Sequence, residues 1–105
     1  MTTQAPIELN EIEDYSLAIC ENEWIDLDTT KRVLESWLER MVTSIEMKSI
    51  VEHLLLYELI DIRIMKLRPA TIDENLSSFP LNLIEFIASK KGESLLKRAR
   101  IIRQV

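Results

Sequence analysis

The stretch SIEMKSIVEHLLLYELIDIRIMKL, residues 44–67, decides how this chain folds. Met47, Ile50, Val51, Leu54, Leu55, Leu56, Tyr57, Leu59, Ile60, Ile62, Ile64, Met65 and Leu67 leave it apolar on nearly every side of a helix. A helix of that kind belongs in the middle of a bundle or in an oligomer interface. Within it, Ile60-Asp61-Ile62-Arg63-Ile64 alternates with period two, and its apolar members are β-branched, as in a half-buried strand. A lone strand needs a partner, and the best one on offer is residues 100–105. The helical reading is therefore adopted: an all-α fold, a compact bundle of about four to five helices. The minor alternative is α+β with a short strand near residues 59–67.

The flanking segments fit the bundle. Upstream, residues 6–22 form a first helix, with Pro6 in its first turn, acids near its positive end and Ile12, Tyr15, Ile19 and Cys20 on its buried stripe. Asp26 or Asp28 caps a second helix, in which Val33/Leu34, Trp37/Leu38, Met41/Val42 and Ile45 fall in pairs at helical spacing. Trp37 reads as core. Thr43 with Glu46 looks like a capping box that starts a separate helix there. Downstream, Arg68-Pro69 ends the apolar element and residues 70–78 form a loop. Ser78-Phe79-Pro80 opens a further helix burying Leu83, Ile84, Phe86 and Ile87, and Gly92 terminates it. A last helix over residues 93–103 buries Leu95, Leu96, Ala99 and Ile102.

Composition agrees with one helical domain. Among 105 residues, 29 are leucine or isoleucine and only one is glycine, so core material is ample and turn material scarce. That disfavours a sandwich or barrel, which needs frequent turn signals, and an apolar fraction of 47% disfavours disorder. Residues 1–5 read as a frayed N-terminus and residues 6–105 as a single helical domain. One cysteine forms no internal disulfide, no leader pattern stands at the start, and no apolar run exceeds four residues, so the expected location is cytoplasmic with no membrane span.

Charge is distributed unevenly. Residues 1–30 hold eight acids and no lysine or arginine, whereas residues 90–105 carry Lys90, Lys91, Lys97, Arg98, Arg100 and Arg103 against Glu93 alone. The net charge of −5 opposes non-specific attraction to polyanions.

No motif in the chain carries recognisable chemistry. His53 is the only histidine, and only Cys20 could be its thiol partner, with nothing local linking the two. Metal-ligand spacing is missing, and the acids from Glu21 to Asp28 lack the alternation and glycine of a calcium loop. Gly92 alone makes no phosphate-binding turn. A helix-turn-helix over residues 29–57 would present Leu54, Leu55, Leu56 and Tyr57 to base edges, which disfavours the DNA-reading version.

The expectation is accordingly a protein that is not an enzyme and uses no cofactor or metal: a helical protein–protein interaction module, such as an adaptor, an inhibitor or immunity-type partner, or an assembly subunit. It self-associates, as a homo-oligomer, through the apolar 44–67 helix at Leu55, Leu56, Leu59 and Ile62. Partner binding is assigned to Lys97, Arg98, Arg100, Arg103 and Trp24. The alternative is a nucleic-acid or ribonucleoprotein accessory contacting phosphates through the basic C-terminal helix, the less favoured reading because the rest of the chain is acidic.

Overall fold

A computed structural model describes residues 9–64, 68–70 and 79–103. Its order is α1 (Glu11–Ile19), β1 (Ile25–Asp26), α2 (Leu27–Leu38), α3 (Ser44–Leu56), β2 (Ile60–Ile64), β3 (Arg68–Ala70), a 3-10 turn (Leu81–Leu83), β4 (Ile84–Ala88) and α4 (Lys90–Arg103). The fold is α+β, not all-α. The strands form an antiparallel sheet of order β1-β4-β2-β3.

The short-strand alternative near residues 59–67 is thus the one that fits, with a different partner from the one expected. β2 pairs with β4 over its whole length, from Ile60 opposite Ala88 to Ile64 opposite Ile84. The segment expected to be helical around Ile84 and Phe86 is that partner strand. Apolar residues at 83, 84, 86 and 87 suit a helix face, but Ile84, Phe86 and Ala88 also alternate, and all three are buried on one side of the sheet. Pairing with Ile60, Ile62 and Ile64, buried on the same side, selects the strand. Arg68-Pro69-Ala70 completes the edge, where proline is tolerated because its missing N–H is not needed by the ladder. Residues 100–103 belong to α4 and not to the sheet.

Local signals place the helices. Asn10 caps α1 in a full capping box: its side chain accepts from the Glu13 amide at 2.9 Å while Glu13 accepts from the Asn10 amide at 3.1 Å. The inward stripe of α1 runs through Glu13, Ser16 and Leu17 to Cys20, and Ile12, Tyr15 and Ile19 lie half-buried beside it. Asp26 caps α2 and Thr43 caps α3, so the helix break at Thr43 is real. The frayed 1–5 segment and most of the expected 70–78 loop lie outside the described residues.

The transition from α3 to β2 is a left-handed cap. Glu58 has φ 60°, its amide reaches the Leu55 carbonyl at 2.9 Å, and the Leu59 amide reaches the Leu54 carbonyl at 3.0 Å. α4 is fastened to this turn. The Ser89 amide donates to the Leu59 carbonyl at 2.9 Å, and Ser89 Oγ donates to the Glu58 carbonyl at 2.7 Å while accepting from the Gly92 amide at 3.1 Å. Gly92 therefore lies inside the first turn of α4 instead of terminating a helix. One core cluster draws on all four helices and the inner face of the sheet, including Leu17, Leu34, Leu54, Leu59, Ile62, Phe86 and Leu96. Among the described residues, no helix is long and apolar enough to cross a membrane.

Candidate functional site

The connection between α2 and α3 is short and heavily bonded. α2 stops because Glu39 adopts a left-handed conformation, φ 54°. Arg40 then donates to both carboxylate oxygens of Glu46, at 3.1 and 2.8 Å, and to the Met41 carbonyl at 2.9 Å. The Arg40 guanidinium holds the Glu46 carboxyl below its usual range. Val42 is buried, and its amide donates to Glu35 Oε2 at 2.9 Å. That bond, with Lys31 beside it, depresses the Glu35 pKa.

This rigid connection displays apolar side chains to solvent. Met41 is 81% exposed, Ile45 83% and Trp37 53%. Trp37 was expected in the core, and Met41 and Ile45 on the same apolar stripe. The buried stripe of α2 runs through Leu27, Thr30 and Leu34 and leaves Trp37 at its edge, edge-on against Tyr15 with ring centroids 5.6 Å apart, and the turn at Glu39 then redirects the chain so that Val42 is buried while Met41 and Ile45 face solvent. The outer line of α3 continues the display as Ile45, Ser49, Glu52 and Leu56, all exposed, with Leu56 at 65%.

The residues assigned to self-association separate. Leu59 and Ile62 are buried in the protein's own core, which absorbs them once residues 60–64 form a strand. Leu55 is half-buried against that core, and Leu56 alone of the four is exposed. Among the residues assigned to partner binding, Lys97 and Arg98 are exposed on α4. Arg100 and Arg103 lie on the same helix, with side chains outside the described ones. Trp24 is half-buried, its ring covered by the Arg63 guanidinium 4.1 Å from the centroid; Arg63 also donates to Glu85 at 2.9 Å across the β2–β4 pair. That arrangement makes Trp24 part of the sheet's outer face.

Sequence reasoning missed one polar pair altogether. Glu13, only 4% exposed, bonds His53 Nδ1 through its second oxygen and so ties α1 to α3. The two are 40 positions apart, and nothing local signals the meeting. Tyr57 packs edge-on against the His53 ring at 4.8 Å. A carboxylate that fixes an imidazole is half of an acid–base arrangement, but Ser16, one turn along α1 from Glu13, donates to the Ile12 carbonyl at 2.7 Å and is buried. Burial pushes the Cys20 thiol up to about 12, so it is protonated and unreactive at neutral pH.

A cleft of about 440 Å³ lies between the first turns of α2 and α3 and the 3-10 turn, lined by Asp28, Ser44, Lys48, Pro80, Leu81 and Asn82. Asp28 is paired with Arg32 at 3.0 Å, and the cleft gathers no nucleophile and base. Among the described residues, no group of three or more His, Cys, Asp or Glu could hold a metal ion. Comparison with known proteins returned no matching family model, curated protein or solved structure.

Proposed function

We propose that this chain is a non-enzymatic protein–protein interaction module that docks through the exposed apolar side chains around the α2–α3 connection. The observation that carries the reading is the contrast between Met41 and Ile45, almost wholly exposed, and the Arg40–Glu46, Glu35–Val42 and Thr43 bonds that hold the backbone beneath them. A backbone held in place by polar bonds loses little freedom on binding, which is one way pre-organised interfaces gain affinity. Leu56 extends the surface along α3, and the absorption of Leu59 and Ile62 into the core leaves less of the 44–67 segment for self-association.

The test is chemical cross-linking of the intact protein in a cell extract, with mass-spectrometric mapping, against the double variant Met41→Ser/Ile45→Ser. The expected result is a protein cross-linked near residues 41–56 in the wild type and lost from the variant, with circular dichroism unchanged. Equal cross-linking by both proteins would contradict the reading. A second reading, phosphate contact through α4, draws on the exposure of Lys97 and Arg98. It requires steeply salt-dependent binding to duplex DNA or RNA, abolished by Lys97→Glu/Arg98→Glu.

A further inference from the structure

Resting on that docking reading, we propose that the occupant of the α3 face is a second copy of this chain, packed antiparallel along α3 about a twofold axis level with Ile50 and Val51. The exposed line of α3 has the spacing of a helix seam. After Ser44 its exposed residues are Ile45, Ser49, Glu52 and Leu56, at intervals of four, three and four, the pattern that keeps one stripe of a helix against a neighbouring helix. Ile45 and Leu56, 83% and 65% exposed, close the two ends, about 16 Å apart. Turned end for end, this line fits itself. Ile45 meets the partner's Leu56 at one end, Leu56 meets the partner's Ile45 at the other, and Ser49 faces the partner's Glu52 twice between them. Such a polar layer inside a seam costs stability and fixes the register.

Charge complementarity selects this occupant. Lys48 stands one turn from Glu52 on the same side of α3, and neither has an ion-pair partner among the described residues. Lys48 also borders the cleft that contains Asp28, but Asp28 is paired with Arg32. In the antiparallel register each Lys48 lies about 1.5 Å along the axis from the partner's Glu52, whereas the two Glu52 positions are offset by about 4.5 Å and the two Lys48 positions by about 7.5 Å. Lysine thus stands beside glutamate on both sides of the twofold axis. A parallel pair would set Lys48 against Lys48 and Glu52 against Glu52, which like charge disfavours. On the flank, Glu46 is held by Arg40 and His53 by Glu13. Four seam positions per protomer make a small interface of the transient class, so the dimer dissociates on dilution.

The experiment is sedimentation of the full chain over about a thousandfold range of concentration, which should show a monomer that becomes a dimer at the upper end. Ile45→Ser/Leu56→Ser should weaken the dimer by about tenfold or more, as for central apolar anchors. Lys48→Glu and Glu52→Lys each set like charges together on both sides of the axis and should each weaken it by about tenfold or more. Mixed with one another, these two variants should dimerise again, because every contact between them then pairs opposite charges. Asp61→Lys, a charge change at an exposed position on β2, should leave the dimer intact.

A monomer at every concentration, or charge variants that fail to pair when mixed, would overturn the second copy while leaving the apolar docking surface in place. A dimer indifferent to Ile45→Ser/Leu56→Ser would overturn its assignment to α3. A monomer together with equal cross-linking in extract by the wild type and Met41→Ser/Ile45→Ser would overturn the docking reading itself.

Discussion

Gly92 shows at single-residue scale how the helices and the sheet are locked together. A Cβ added at this position would stand 2.1 Å from the Leu59 carbonyl oxygen and 3.1 Å from Leu17 Cδ1. The first obstacle is backbone and cannot rotate away. Two effects oppose each other in Gly92→Ala: alanine favours helix by about 1 kcal/mol, while forcing apart a packed contact costs about 1–3 kcal/mol. The displaced atom also accepts the Ser89 amide, so the contact dominates. Urea unfolding should show Gly92→Ala destabilised by about 1–3 kcal/mol; a stabilised variant would mean that α4 does not rest on Leu59. The sequence displays a glycine between Lys91 and Glu93 and invites the reading of a helix end. Its actual reason lies 33 positions away and has no local signature.

Elements in this chain are set partly by local signals and partly by distant pairing. Asp26 and Thr43 cap their helices through side chains that bond the first-turn amides, and both were legible because capping is a short-range event. Ile84-Glu85-Phe86-Ile87-Ala88 was not legible, since its spacing suits helix and strand alike and only the pairing with β2 decides. The same holds for Ile60–Ile64, where the alternation was visible and the partner was not. At the α3–β2 junction Glu58 occupies a left-handed position that glycine adopts without a Cβ penalty. Glu58→Gly should therefore raise stability by about 0.5–1 kcal/mol in thermal or urea unfolding; a clear loss would show that the cap geometry is otherwise.

The α2–α3 connection makes a prediction in pH. The Val42 amide, foremost, and then Lys31 hold the Glu35 carboxyl below its ordinary value of about 4.3. A carboxyl whose pKa is depressed by folding contributes stability that is complete above the unfolded pKa and is lost as pH falls through the folded one. Acid titration of stability below about pH 4.3 should accordingly be shallower in Glu35→Gln than in wild type. Parallel curves would show that the Val42–Glu35 bond does not persist in solution.

Across the described residues, most of the apolar content of residues 44–64 goes into a core shared by helices and sheet, and Ile45 and Leu56 stay outside it with Trp37 and Met41. The candidate surface was only partly legible for that reason. Leu56 was identified, but Met41, Ile45 and Trp37 share the spacing of the buried Leu34 and Val42; Trp37 lies at the edge of the buried stripe of α2, and the left-handed turn at Glu39 that redirects Met41 and Ile45 has no glycine to announce it.

The central claim is that the exposed apolar face around the α2–α3 connection docks a protein partner. Methyl NMR of the isotope-labelled intact protein, compared at high dilution in buffer and in an unlabelled extract of cells that produce it, tests it most directly, because it reports surface and core together. The predicted result is perturbation concentrated at the methyls of Met41, Ile45 and Leu56, with those of the buried Leu59 and Ile62 unchanged. Perturbation centred instead on the sheet's outer face at Ile87, or absent from all three surface methyls in the extract, would contradict it.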